Sequence, residues 1–438
     1  MENDGDCKNV CADRGGVGLG PLLAPLGAAL ALLSSAAPAE ARPRRAHEHT
    51  AEAKLDALET AVGATTVPIV DACAGDAACA SSPLSRFHDK LAARKEGGAG
   101  VRVLLLGDSH VASDFITGYL RDALQDRFGN GGRGLVHGDQ RLGYGGRLTK
   151  RPASMWTEKR VVDRGGPGHR YGLFAQVLTA KRKGAWSSYA VLEEDASVTV
   201  WSESKDGRGF AVTLDGEALE PEGPAEGGAT RYVLPPSEAE RRQLKVVAEG
   251  PGARLYGLGF HAAEPGLELS AIGPVGADAA VYLQMDGPSF SEELSAYAPD
   301  LVVLMVGGND ALKVRKKWKG MKEIEEDHRK LVAFLREAAP GADILLLSPM
   351  DAGQKKGERV VGKPLIEEMR NLQAKLAEEL GLGFWDTWKA MGGEGAIGRW
   401  VKAGAMNADL VHPKKPGADL LGRLMATALL TWADTKPL

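Results

Sequence analysis

A near-continuous apolar run, Val101-Arg102-Val103-Leu104-Leu105-Leu106, ends in the turn Gly107-Asp108-Ser109-His110. Such a run suits a strand buried on both faces of a parallel sheet, because an antiparallel strand with one wet face would alternate. A helical pattern follows over Ala112 to Phe128, with Phe115, Tyr119, Leu120, Leu124 and Phe128 on one face. Strand, tight turn, helix is the opening of an α/β unit. The signature returns late in the chain. Leu301 to Val306 reads as a second buried strand ending in Gly307-Gly308-Asn309-Asp310, Asp343 to Leu347 as a third, and Gly383-Phe384-Trp385 as a shorter fourth. Helical patterns lie between and after them at Met321 to Ala338, Pro364 to Leu380 and Lys415 to Trp432. Pro364 suits the first turn of its helix, where a missing N–H does no harm.

The stretch between differs. From Gly131 to beyond Gly266, glycines punctuate short alternating segments at Tyr189 to Leu192, Ser197 to Ser202, Phe210 to Leu214, Leu244 to Ala248 and Leu255 to Phe260. Short strands at this spacing predict an all-β sandwich or jelly roll. The expected organisation is therefore an α/β domain in two parts, 96–145 and 267–438, split by a β insertion at 146–266 and preceded by a linker at 42–95.

Residues 1–41 read as a secretory signal: an apolar Gly18 to Ala37 followed by Pro38-Ala39-Glu40-Ala41, an A-x-A-like cleavage site, although the leading flank is acidic. Pro21 and Pro25 make the run a poor transmembrane helix, so no stable membrane span is expected after cleavage. Export to the periplasm, cell envelope or medium follows. Removal of Cys7 and Cys11 would leave Cys73 and Cys79, too few ligands for zinc and well placed for a local disulfide in an oxidising compartment. The net charge of −4 argues against a nucleic-acid partner. Basic clusters at Lys313 to Lys319 and Lys355-Lys356 read as solvated faces.

Three clusters carry chemistry: Gly107-Asp108-Ser109-His110, Gly307-Gly308-Asn309-Asp310 and Asp409-Leu410-Val411-His412. The first two end predicted parallel strands, where open α/β sheets place their ligands. A serine hydroxyl needs a base to become a nucleophile, and His412 is the candidate. Asp409, three residues earlier, is placed to orient the imidazole and stabilise its charged form. The Asn309 amide, the Ser109 N–H and a glycine N–H are candidate donors to an oxyanion.

These clusters resemble three of the conserved blocks of the SGNH (GDSL-like) hydrolase family. The remaining block matches Leu269 to Ala277, which makes Gly276 the implied oxyanion glycine. The Gly-x-Ser-x-Gly elbow of α/β-hydrolases is absent around Ser109. The resemblance spans roughly 100 to 150 and 266 to 432. It implies a three-layer α/β/α, flavodoxin-like domain with a parallel sheet, a Ser109–His412–Asp409 triad, an oxyanion hole of Ser109, Gly276 and Asn309, and no metal or organic cofactor. Within the family, an inserted carbohydrate-binding-module-like domain is similar to that of bacterial peptidoglycan O-acetylesterases. That likeness implies an acetylated polysaccharide, peptidoglycan or a similar polymer, as the partner.

Other readings stand beside these. The same triad serves a polysaccharide O-acetyltransferase, and the β insertion alone would serve a non-catalytic glycan-binding protein. Ser109 is also a favoured helix N-cap. Asp108 reads as a turn residue, His110 as either a substrate contact or a surface or packing residue, and Asn309-Asp310 as a possible Asx turn. His137, His169, His261 and His328 have no partner pattern, and His328 is expected to be solvated. Trp156, Trp186, Trp201, Tyr189 and Tyr232 would stack on sugars if exposed, but fill the insertion's core on the simpler reading.

Overall fold

The computed structural model describes residues 44–71, 82–112, 114–138, 149–150, 155–163, 170–204, 209–223, 228–237, 239, 241–285 and 287–435. The expected signal at 1–41 and the Cys73–Cys79 pair lie outside the described residues. The chain divides into two compact units, 1–48 and 49–438. Of the first, only the opening turn of the helix Arg44–Val62 is described.

A five-stranded parallel sheet forms the centre of the second unit. Its strands, numbered here in chain order, are β1 (Val101–Gly107), β2 (Leu267–Ile272), β3 (Leu301–Met305), β4 (Asp343–Leu347) and β5 (Gly383–Trp385). The spatial order is β2-β1-β3-β4-β5 and all neighbours are parallel. This is the doubly wound order whose direction of winding reverses between β1 and β3, leaving a crevice beyond their carboxyl ends. Both faces are covered, as the unbroken apolar strands require. One side packs Val103, Leu105 and Leu345 against Leu120, Leu421 and Trp400; the other packs Leu104, Leu106 and Val302 against Phe290, Leu331 and Leu335.

The chain between β1 and β2 builds an antiparallel sandwich. One sheet runs Ala229–Val233, Asp195–Glu203, Arg254–Ala262, Gln176–Ala180 and Trp156–Arg160, and the other Thr149–Lys150, Trp186–Leu192, Arg241–Ala248, Phe210–Leu214 and Glu217–Ala218. Gly134–His137 also pairs with Arg254–Ala262, so the β unit starts before the Gly145-Gly146 boundary. Leu135-Val136 is too short a run between glycines to stand out in the sequence. Leu244, Val246, Leu258 and Phe260 fill the space between the sheets. The outer face of the first sheet carries Trp201 and Tyr256 into the same cluster as Leu104, Ile272 and Phe290 of the α/β domain. A strand sandwiched in this way is buried on both faces, which is why Arg254–Ala262 shows six consecutive buried residues. Trp156, Trp201, Tyr189 and Tyr232 are buried, and Trp186 is half-buried under the Lys245 ammonium. The insertion's aromatics are therefore packing residues.

Two local readings change. The expected helix over Ala112 to Phe128 breaks into Ser109–Ala112 and Phe115–Phe128 around Asp114, whose backbone is left-handed (φ 55°). Asp114 is held there by hydrogen bonds from Thr117 and Arg121. The helix expected from Pro364 starts at Ile366, behind a left-handed Leu365 (φ 71°).

Candidate active site

The turn after β1 is fixed from beneath. Tyr282, fully buried, donates its hydroxyl to the Gly107 carbonyl at 2.6 Å and lies 3.2 Å from the Ile272 carbonyl, tying the ends of β1 and β2 together. Gly273 allows the close approach, since a Cβ there would stand 2.4 Å from the Asp108 carbonyl and 2.7 Å from Val111. Ser109 opens the short helix that follows, so its N–H is a first-turn donor without an intrahelical partner.

The second half of the site is the loop before the helix Lys415–Ala433. Met406 and Pro413 form a bridge, the Asn407 N–H donates to the His412 carbonyl at 2.8 Å, and the Leu410 N–H donates to the Asn407 carbonyl at 3.0 Å. Leu410 takes a left-handed conformation (φ 60°), strained for a branched apolar residue. Its side chain is buried, and its carbonyl accepts from the Gly353 N–H at 2.6 Å. A Cβ at Gly353 would press on Leu410 at 3.1 Å, so glycine there leaves room for the kink. The kink lets the Asp409 carboxylate reach both backbone and ring of His412.

From these supports comes a continuous relay. Ser109 Oγ lies 2.7 Å from His412 Nε2, and His412 Nδ1 lies 2.7 Å from Asp409 Oδ2. Asp409 Oδ1 accepts the N–H groups of Val411 and His412 at 2.9 and 3.0 Å. Partial burial opposes ionisation of Asp409, but the backbone and ring hydrogen bonds from His412 and the Val411 N–H outweigh it and hold the carboxyl down at about 2.

A second acid–histidine pair sits beneath. The buried Asp108 accepts from the His110 N–H at 2.9 Å and lies 2.8 Å from His110 Nδ1, while His110 Nε2 is 3.2 Å from the Val411 carbonyl. A carboxylate and a carbonyl can only accept, so both ring nitrogens are satisfied when both carry protons. Burial opposes that charge on His110. Asp108, the Val411 carbonyl and the more distant Asp409 outweigh it and raise the ring's pKa above 6.5. Asp108 is thus more than a turn residue, and His110 is a buried bridge between the two halves of the site.

Asn309, the second residue of the helix Gly308–Arg315 that follows β3, donates Nδ2–H to the Ala277 carbonyl at 2.9 Å and to Asp108 Oδ2 at 3.3 Å. Both amide hydrogens are thus engaged, the one toward Asp108 at the longer distance. Gly276 lies on the loop after β2 in a left-handed conformation (φ 86°), adjacent to Ala277. Behind Asn309, Asp310 is fully buried, which pushes its carboxyl up to about 6. His328 is also buried, against the expectation of solvation: its Nδ1 meets the Ile324 carbonyl at 2.9 Å and its Nε2 meets Gln373 at 3.2 Å. Position 328 falls on the apolar stripe of Ile324, Leu331 and Leu335, a period that was present in the sequence.

Ser109, His412 and Asn309 line one cavity of about 240 Å³. Its walls are largely apolar, with Met305, Val306, Leu312, Met350 and Ile366, and Arg315 and Lys363 add two cations. Gly276 is not among the lining residues. At ~30 Å³ per water molecule the space exceeds that of one acetyl group. The structure therefore brings Ser109, Asn309, Asp409 and His412 together from three separate chain segments. Among the described residues, no helix is long and apolar enough to cross a membrane.

Residues 247–420 match the GDSL-like lipase/acylhydrolase family. Among solved structures, a peptidoglycan O-acetylesterase superposes with a TM-score of 0.68 at 21% identity, covering 83% of this chain and 99% of its own. At that identity the likeness is one of fold, and it extends over both the α/β domain and the sandwich. A Bacillus subtilis protein (TM-score 0.35, 16% identity, 66% of this chain and 91% of its own) and an acetyl xylan esterase (0.30, 22%, 37% and 81%) are more distant. A search among curated proteins finds no match. The likeness to GDSL-like acylhydrolases thus covers the 247–420 segment, which holds Asn309, Asp409 and His412.

Proposed function

We propose that this protein is an exported serine esterase that removes O-acetyl groups from a cell-envelope polysaccharide, with peptidoglycan the first polymer to test. The observation that carries the reading is the unbroken relay from Ser109 through His412 to Asp409, opening on a cavity with an apolar wall for an acyl methyl group. The shared fold with a peptidoglycan O-acetylesterase, sandwich included, supports the choice of polymer. The apolar run and A-x-A-like site at 18–41 support export.

In this mechanism Ser109 Oγ attacks the acetyl carbonyl as His412 Nε2 takes its proton, and Asp409 stabilises the imidazolium. The Ser109 N–H and Asn309 Nδ2 receive the oxyanion, while Gly276, outside the cavity lining, keeps only the role the family resemblance implies. His412 returns the proton to the departing sugar oxygen, leaving acetyl on Ser109. Water activated by His412 then releases acetate and restores the serine.

The test is acetate release from O-acetylated peptidoglycan and a panel of other acetylated polysaccharides, with Ser109→Ala alongside. Release that is abolished by Ser109→Ala supports the reading. Acetyl gain on a sugar acceptor with no free acetate would overturn hydrolysis in favour of transfer. Aryl acetate turnover unchanged in Ser109→Ala would remove the nucleophile assignment.

A further inference from the structure

We infer that Arg315 and Lys363 form an anion subsite beside Ser109, so that the preferred ester carries a carboxylate or phosphate close to its acetyl group. The inference rests on the esterase site above, though not on its polymer.

The two cations come from different elements and meet at the same cavity. Arg315 ends the helix Gly308–Arg315, which begins next to Asn309. Lys363 leaves the hairpin Gly353–Lys356/Arg359–Gly362, the hairpin whose Gly353 supports the His412 loop. Lys363 is half-buried, and burial followed by the nearby Arg315 charge pushes its pKa down. Two like charges held within electrostatic reach of each other destabilise the empty site unless an anion arrives between them.

Asp409 acts on Lys363 in the opposite sense, but less than burial and the Arg315 charge do. Asp108 is taken by His110 and Asn309, and Asp409 by His412. Among the described residues neither Arg315 nor Lys363 has an ion-pair partner, whereas Lys313 and Lys319 on the same stretch pair with Asp278 and Asp327. Further exposed cations adjoin both residues along the chain. Lys316 and Lys317 follow Arg315, and Lys355, Lys356 and Arg359 stand exposed on the hairpin. Trp318 lies within the first of these segments with 68% of its surface exposed, the arrangement of an aromatic platform for a sugar ring flanked by cations. The basic clusters that read in the sequence as solvated faces are thus largely exposed, and the first of them reaches the serine's cavity through Arg315.

Matched esters test this without any polymer. The ratio of kcat/KM for 3-acetoxybenzoate to that for its methyl ester is expected to exceed about tenfold in the wild type, given the strength of charge-assisted contacts. It should shrink as ionic strength rises. A 3-acetoxyphenyl phosphate arm, against its neutral dimethyl triester, shows which anion the subsite prefers. The ratio should fall toward one in Lys363→Met and Arg315→Met, and invert in Lys363→Glu. Lys330→Met, on a helix face away from the cavity, should leave the ratio unchanged. A wild-type ratio near one, or one that survives the double substitution of Arg315 and Lys363, overturns the inference. A large ratio with no acetate released from any acetylated polysaccharide would instead sustain the subsite and sink the polysaccharide reading.

Discussion

Two aspartate–histidine pairs face each other in this site, and their difference bears on which of them is able to act as a base. In Asp108–His110 and Asp409–His412 the carboxylate meets Nδ1 at nearly the same distance, 2.8 and 2.7 Å, and also accepts the histidine's own backbone N–H. The two rings are 5.1 Å apart. Burial separates them: side-chain exposure is 4% and 10% for Asp108 and His110, against 50% and 37% for Asp409 and His412. The second ring nitrogen separates them further. His110 Nε2 meets the Val411 carbonyl, which only accepts, whereas His412 Nε2 meets the Ser109 hydroxyl, which can also donate. The first arrangement fixes a proton in place; the second lets one move. Because the Val411 carbonyl belongs to the His412 loop, the fixed pair also braces the mobile one.

Removing the moving proton should have the largest effect. His412→Ala is expected to lower kcat/KM for an aryl acetate by about 10⁴-fold or more, with the fold's circular dichroism intact. A loss of less than tenfold would mean that the two pairs have been assigned the wrong way round. Asp409→Asn follows, at roughly 10² to 10⁴-fold, because an amide no longer selects the tautomer that leaves Nε2 free to accept from Ser109. Wild-type Asp409 should stay ionised throughout the acid limb of a pH–rate profile. Its carboxyl is held below the ordinary value of 3.8, so its contribution to stability is present above that value and is lost as pH falls through about 2. Half exposed, it is screened, and that contribution is small. An infrared carboxyl signal that titrates near pH 4 and vanishes in Asp409→Asn would contradict this.

The buried pair should matter through placement. His110→Gln and Asp108→Asn are each expected to reduce kcat by about 10 to 100-fold, since a loop shifted by an ångström misaligns the relay. Their double variant should be little worse than either single one, because both substitutions break one network. Fully multiplicative losses would show that Asp108 and His110 act separately, and the comparison with Asp409–His412 would lose its basis.

Not all of this was legible in the sequence, and the reasons are physical. The doubly wound sheet was, because β1, β3 and β4 are apolar on both faces and only a covered parallel sheet tolerates that. Ser109 and Asn309 could be placed because both follow glycine turns at the ends of such strands. His412 and Asp409 could be paired because three residues separate them. The bridge from His110 to the Val411 carbonyl spans 301 residues and leaves no local pattern, so Asp108 looked like a turn residue. The hairpin Gly353–Gly362 is short and polar, with no apolar alternation to announce it. Lys363 therefore gave no sign that it lies beside the serine. In the insertion, Leu135-Val136 paired too early in the chain to be seen as a strand of the sandwich. The burial of Trp201 and Tyr256 depends on docking against the α/β domain, which strand periodicity alone does not encode.

The smallest expected effect concerns stability, and it distinguishes the pairs by sign. His110 is raised above its ordinary value of 6.5 by Asp108, the Val411 carbonyl and Asp409 acting against burial. A histidine raised on folding stabilises the native state fully below its unfolded value, and that stabilisation is lost as pH rises through the folded value. The denaturation free energy of wild type minus His110→Gln should therefore be greatest below about pH 6.5, at roughly 1 kcal/mol for charge-assisted hydrogen bonds, and decline on the alkaline side. Asp409 behaves oppositely, losing its contribution only toward strong acid. Chemical denaturation of the two proteins at a series of pH values measures the difference directly. A difference that instead grows as pH rises toward neutral would mean His110 is held neutral in the fold, leaving one ring nitrogen facing an acceptor without a proton. In that case the Val411 carbonyl is not held by His110, and Asp108–His110 ceases to be the brace for the His412 loop.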